Sequence, residues 1–103
     1  MNSIPTLLRD LVMISSHTYD LKGCETALKR IKDELKGVVD SSEWIEPQKA
    51  RVYLNQGSED QLVNHTLIAH KRKHATHRVL LMGHIDTVYP QLGNQEFMIE
   101  NDW

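Results

Sequence analysis

The chain has 103 residues, which is enough for one small domain with a modest hydrophobic core. Its 40% hydrophobic and 25% charged residues are ordinary values for a globular protein, so we do not expect an intrinsically disordered chain. A formal net charge of -2 argues against a nucleic-acid-binding protein that works through its overall charge.

The cysteine content and the N-terminal sequence indicate the compartment. Cys24 has no second cysteine with which to form an internal disulfide, and this fits a reducing environment. The position of Cys24 in the sequence predicts that it is a core residue. Residues 1–5 do not form the basic segment that precedes the apolar part of a secretory signal. No apolar run approaches the length of a membrane span. We therefore expect a soluble cytoplasmic protein.

The first predicted element is an amphipathic helix. Apolar residues between positions 4 and 15 follow the i, i+3, i+4, i+7 pattern. Ser3 is placed to cap its first turn, where Pro5 costs nothing by lacking a backbone N–H. The polar residues 15–20 then interrupt the pattern and predict a loop.

A second, longer helix is predicted over residues 21–36. Its apolar residues alternate spacings of three and four, which places them in one stripe along the helix. The stripe is too short for a coiled coil, so we expect it to pack across a sheet. Asp20 is the expected N-cap, and Gly37 is the expected residue after the last turn.

Short strands are predicted in the second half of the chain, at residues 44–45, 51–54, 66–70, 78–82 and 97–100. The polar turn between the third and fourth strands is long enough for a hairpin, whereas a parallel return needs a longer crossover. We therefore expect those two strands to be antiparallel neighbours. The predicted fold class is α/β, with two N-terminal helices packed on a small mixed sheet.

Four histidines lie within thirteen residues around this basic turn: His65, His70, His74 and His77. One interpretation is a solvated turn whose charges maintain solubility. The alternative is a patch that binds phosphate or nucleic acid, but it lacks interleaved aromatic residues and a known fold motif. We favour the solvated turn and expect no nucleic-acid partner.

The sequence VLLMGHIDTVYP occupies residues 79–90 and contains the strongest functional pattern of the chain. Its apolar start predicts a strand buried on both faces. Polar groups directly beyond the carboxyl end of such a strand are where open α/β sheets place their functional sites. The segment therefore predicts a site at His84 and Asp86.

The chemistry of His84 and Asp86 favours a metal site. Neutral imidazole is a common zinc ligand, and a ligating histidine usually donates its other ring N–H to a carboxylate or carbonyl. In an extended chain the period of two puts both side chains on one side, while Ile85 points to the interior. The alternative for so short a pattern is a pair of polar surface residues in a turn.

Residues 79–90 resemble the first metal-ligand motif of the M20 family of zinc-dependent peptidases and deacylases. Because an aromatic residue precedes the proline, the segment most resembles the motif of the glutamate carboxypeptidase branch. Residues 15–20 also resemble the polar loop between the first two helices of that family. The resemblance implies that residues 1–103 form the N-terminal part of an M20 catalytic domain, an incomplete piece of an α/β domain with a largely parallel sheet.

The resemblance also implies a function, in which two zinc ions, or cobalt or manganese, help cleave a peptide or N-acyl amide bond. His84 matches the first histidine ligand of the family, and Asp86 matches the neighbouring aspartate that is described as catalytic. The metal ions polarise the carbonyl and lower the pKa of a bridging water, and a glutamate accepts its proton. The implied substrates are peptides or N-acyl amino acids.

Other parts of the family pattern are absent from this sequence. It has no Gly-x-x-Asp-x-Lys-Gly segment for the bridging aspartate, and Asp102 lies in a different context. The glutamate pair and the second histidine ligand are also absent. We therefore expect an inactive segment of a metallohydrolase, roughly a quarter of the family length. The alternative is a non-enzymatic module that self-associates through exposed sheet edges.

Overall fold

The computed structural model of the protein describes residues 3–88 together with Met98 and Glu100. Two helices come first, α1 (Ile4–Val12) and α2 (Leu21–Glu34). Four strands follow in chain order: β1 (Ser41–Ile45), β2 (Gln48–Leu54), β3 (Gly57–Val63) and β4 (Thr66–His70). The described part of the chain is therefore mixed α/β.

Both helices begin at the predicted caps. The Ser3 side chain accepts a hydrogen bond from the backbone N–H of Thr6, and the Asp20 carboxylate accepts one from Gly23 at 2.8 Å. These bonds satisfy N–H groups that have no partner within the helix. Helix α2 ends two residues before the predicted boundary, and Gly37 follows it with a left-handed φ of 79°. The predictions for both helices are confirmed, although α1 also ends early, at Val12, before the end of its predicted apolar pattern at residue 15.

The best-buried apolar residues of the described chain lie on α2. Cys24 and Ala27 are each 1% exposed, which confirms the predicted core position of Cys24. The Cys24 Sγ lies 3.3 Å from the backbone oxygens of Ser16 and His17, so its S–H can donate to the loop before α2. Burial raises the pKa of the Cys24 thiol, and the neighbouring carboxylates add to this effect.

An ion-pair network joins the two helices. The Arg30 guanidinium on α2 donates to Asp10 on α1 at 3.0 and 3.2 Å and to Glu34 at 3.0 Å. The Arg30 side chain is mostly buried, so these charge-assisted bonds are better shielded from solvent than an ordinary surface pair. No helix in residues 3–88 has the length and apolar character needed to cross a bilayer.

The four strands form two antiparallel pairs. Strand β1 pairs with β4, from Ser41 opposite His70 to Ile45 opposite Thr66. Strands β2 and β3 form a separate hairpin. The strands predicted at residues 44–45 and 51–54 lie within β1 and β2, and the one predicted at 66–70 coincides with β4. The single mixed sheet that we expected is wrong for the described residues, which contain two small antiparallel sheets.

Strand β3 was not predicted, because its sequence GSEDQLV is mostly polar and lacks an alternating apolar pattern. It forms a strand through a complete ladder to β2, which runs from Gln48 opposite Val63 to Leu54 opposite Gly57. The short turn at residues 55–56 brings the two strands together. Backbone pairing across this turn therefore overrides the weak strand propensity of the sequence.

The predicted hairpin of residues 66–70 with 78–82 is also wrong. Strand β4 pairs with β1 instead, and residues 78–86 belong to no strand. The side chains of residues 79–82 are between 80% and 89% exposed. A segment that is apolar on both faces needs strands on its edges and cover on both faces, and the described residues do not supply these. The strand predicted at residues 97–100 falls outside the described residues, apart from Met98 and Glu100.

Candidate functional site

Two segments far apart in the sequence meet beside Asp86. A parallel bridge joins His17 to Thr87. The Thr18 N–H donates to the Thr87 carbonyl at 3.0 Å, and the Thr87 N–H donates to the Ser16 carbonyl at 2.8 Å. The loop before α2 therefore fixes the backbone on the C-terminal side of Asp86.

That loop is held tightly against the first turn of α2. A Cβ atom placed on Gly23 would lie 1.7 Å from the backbone oxygen of Ser15 and 2.9 Å from the Asp20 carboxylate. Only glycine allows the loop to approach the helix so closely. The Asn64 side chain, between β3 and β4, donates to the Thr18 carbonyl at 3.1 Å and adds a second contact that holds the loop.

The Asp86 carboxylate lies at the centre of the site. Its Oδ2 accepts a hydrogen bond from the Thr18 hydroxyl at 2.7 Å, and its Oδ1 lies 3.0 Å from Nδ1 of His84. The Thr18 bond and then the His84 bond hold the pKa of Asp86 below its usual range, against the opposing effect of burial. Asp86 is therefore a carboxylate at neutral pH.

The His84 ring lies beside this carboxylate and is 83% exposed. Its Nδ1 is 3.0 Å from both the Oδ1 and the backbone oxygen of Asp86. Both of these atoms are acceptors, so the neutral ring carries its proton on Nδ1 and its lone pair on Nε2. No hydrogen bond from another described residue occupies Nε2. The predicted convergence of the two side chains is confirmed, whereas their roles in metal binding and catalysis stay predictions.

His84 and Asp86 line a cleft of about 740 Å³. Apolar residues of α2, including Leu28 and Ile31, line another part of it together with residues of β4 and residues 79–81, 83 and 85. A concave site with an apolar wall and a few polar groups is the usual form of a small-molecule site. The pair therefore faces a space that could admit a ligand.

The number of ligands limits what this pair can bind. Residues 3–88 contain no group of three or more histidine, cysteine, aspartate or glutamate side chains arranged around a metal position. His84 and Asp86 supply at most two ligands, whereas catalytic zinc sites commonly use three protein ligands and structural sites use four. His84 and Asp86 therefore do not by themselves supply the ligands of a complete zinc site.

Of the other histidines around the basic turn, His65 lines the same cleft as His84, whereas His70, His74 and His77 do not line it. His65 Nε2 lies 3.0 Å from Glu46, and His70 Nε2 lies 2.9 Å from Glu43, so both rings pair with carboxylates at or next to β1. His74 and His77 lie in the exposed turn that follows β4. His74 and His77 agree with a solvated turn, whereas the His65 side chain is only 9% exposed and packs against the Trp44 ring.

The sequence did not indicate the contacts of Thr18 and Asn64. Thr18 lies 68 positions before Asp86, and its only signal was the likeness of residues 15–20 to a family loop. Asn64 follows a strand that was itself not predicted. Comparison with protein-family models, with curated proteins and with solved structures finds no match for this chain.

Proposed function

We propose that this chain carries the first metal-binding element of a metal-dependent hydrolase of the M20 type, which cleaves a peptide or N-acyl amide bond. One observation carries the proposal: the Asp86 carboxylate and its backbone oxygen both lie 3.0 Å from His84 Nδ1, and the exposed ring keeps Nε2 available beside a cleft. This is the arrangement that ligating histidines show in metal sites. The motif resemblance of residues 79–90 supports the same function.

The two residues have distinct roles in this proposal. His84 is the metal ligand through Nε2. Asp86 fixes the tautomer and the direction of the ring, and its negative charge makes the Nε2 lone pair a better electron donor to the metal. When bound, zinc, cobalt or manganese would polarise the scissile carbonyl and lower the pKa of a bound water. Imidazole and carboxylate ligands suit all three metals.

The proposed substrate class is a peptide or an N-acyl amino acid. The remaining ligands and the general base would come from outside the described residues, so we expect the chain by itself to be inactive. Its lone cysteine fits a cytoplasmic location. We propose neither a nucleic acid nor a membrane as a partner.

Metal removal tests this proposal. A metal that binds only the folded chain raises its free energy of unfolding. We expect millimolar zinc to raise the melting temperature relative to the same sample in EDTA, and we expect His84→Ala to lose most of that rise. His74→Ala, in the exposed turn, is the matched control and should keep it. An equal zinc response in His84→Ala and in the unchanged chain would contradict the site.

The same samples can be assayed for hydrolysis of N-acetyl amino acids and dipeptides with added zinc or cobalt. We expect no turnover above the metal blank, because the described residues supply too few ligands to complete a catalytic site. Turnover that disappears in His84→Ala would contradict the expected inactivity while supporting a hydrolase. Turnover that survives this substitution would contradict the assignment of His84.

A second candidate function is self-association. The four apolar side chains of residues 79–82 are highly exposed, and the backbone of these residues makes no hydrogen bond to another described residue. Exposed extended segments of this kind pair with strands of other chains. A second copy of the chain would offer the same segment and could pair with it around a two-fold axis.

Light scattering over a concentration series tests this candidate. We expect the mass to rise toward that of a dimer at high concentration. Leu81→Lys should keep the chain monomeric, because it places a charge in the segment that would pair. Leu81 is 89% exposed, so the change removes little packing within one copy. Leu62→Lys on β3 is the control and should still dimerise. A monomeric unchanged chain at the highest concentration would rule out this candidate.

A further inference from the structure

We propose that Thr18 is a positioning residue of the site, whose hydroxyl holds the Asp86 carboxylate in the orientation that accepts a hydrogen bond from Nδ1–H of His84. The consequence for metal binding rests on the proposed function, whereas the effect on the ring tautomer does not. Thr18 belongs to the loop before α2, so this role links the N-terminal helices to the candidate metal ligand.

The two oxygens of Asp86 have different partners. Oδ2 accepts from the Thr18 hydroxyl at 2.7 Å, and Oδ1 faces His84 Nδ1 at 3.0 Å. A bond to one oxygen restricts rotation of the carboxylate plane and so aims the other oxygen at the ring. The Thr18 hydroxyl is also 3.1 Å from the Thr87 carbonyl. The shorter contact to the charged carboxylate is the stronger of the two.

Thr18 is itself held in place by its backbone. Its N–H donates to Thr87 at 3.0 Å, and its carbonyl accepts from Asn64 at 3.1 Å. Its branched side chain has few rotamers, so the hydroxyl direction is largely fixed before any ligand arrives. This preorganisation distinguishes Thr18 from a surface hydroxyl that happens to touch a carboxylate.

The size of the expected effect follows from the remaining contacts of His84. Without the Thr18 hydroxyl, the Asp86 carboxylate can turn, but the backbone oxygen of Asp86 stays 3.0 Å from Nδ1. The proton on Nδ1 therefore keeps one acceptor. We expect a mixture of the two ring tautomers, together with metal binding about tenfold weaker, at the low end of the effect of removing an orienting partner.

The experiment compares Thr18→Val, which keeps the branched shape, with Thr18→Ser, which keeps the hydroxyl. Nitrogen-15 NMR of the His84 ring in the metal-free chain reports the tautomer, and a cobalt titration of the same samples reports affinity. We expect the Nδ1–H form in the unchanged chain and in Thr18→Ser. The valine variant should show the mixture and the weaker binding.

Three outcomes are decisive. An unchanged tautomer and affinity in Thr18→Val would overturn the positioning role. A serine variant that behaves like the valine variant would also overturn it, because the hydroxyl would then not be the cause. If the tautomer changes as expected but cobalt binds His84 in none of the samples, the positioning role stands and the proposed metal function fails.

Discussion

Replacing Gly23 with alanine should lower the free energy of unfolding by about 3 kcal/mol, near the upper end for overpacking. The new Cβ would lie 1.7 Å from the backbone oxygen of Ser15, a distance that forces the backbone to move. Alanine is otherwise favoured over glycine in a helix by about 1 kcal/mol. A loss in spite of that advantage would therefore measure how closely the loop must approach α2.

Urea denaturation of Gly23→Ala and of Gly83→Ala tests this expectation. Gly83 is the matched control, because a Cβ atom placed on it would meet no described residue within 4 Å beyond its chain neighbours, and its φ is not left-handed. We expect Gly83→Ala to change the free energy of unfolding by less than about 0.5 kcal/mol. Equal stability of the two variants would contradict the packing of the loop on α2.

Replacing Asp86 with alanine should weaken metal binding at His84 by about 10- to 100-fold, the usual effect of losing the partner that orients a ligating histidine. The same change leaves the Thr18 hydroxyl without its charged acceptor. We therefore also expect the free energy of unfolding to fall by about 1–2 kcal/mol. Asp86 thus combines a structural contribution with the proposed functional one.

The sign of the pH dependence gives an independent check. Because the folded-state pKa of Asp86 is depressed, its stabilising contribution is present above the unfolded-state pKa and is lost as the pH falls through the folded-state pKa. The stabilities of the unchanged chain and of Asp86→Ala should therefore converge in acid. Asp60→Ala breaks an exposed pair with Arg51. It is the control for the binding measurement on Asp86→Ala and should leave metal binding unchanged. A constant stability difference down to the lowest pH would contradict the account.

Local patterns were sufficient to predict the helices and the central pair of the site. The caps at Ser3 and Asp20 and the apolar stripes are properties of neighbouring residues, and a spacing of two residues is short enough for the His84 ring to reach the Asp86 carboxylate. Each of these features depends on residues only a few positions apart, so a single sequence contains the information.

Strand pairing and the support of the site could not be predicted in the same way. Strand β4 pairs with β1 and not with the next apolar segment, a choice that depends on tertiary context. The contact of Thr18 with Asp86 spans 68 positions and depends on how the loop packs against α2. The exposure of residues 79–82 likewise reflects which neighbours are present, although the apolar sequence predicted burial.

The metal ligand role of His84 is tested most directly by following all histidine rings by NMR during a cobalt titration of the chain. The account predicts that the His84 ring responds at the lowest cobalt concentration, through Nε2, while Nδ1 keeps its proton toward Asp86. A response that begins at His74 and His77 in the exposed turn, or a His84 ring that binds cobalt through Nδ1, would contradict it.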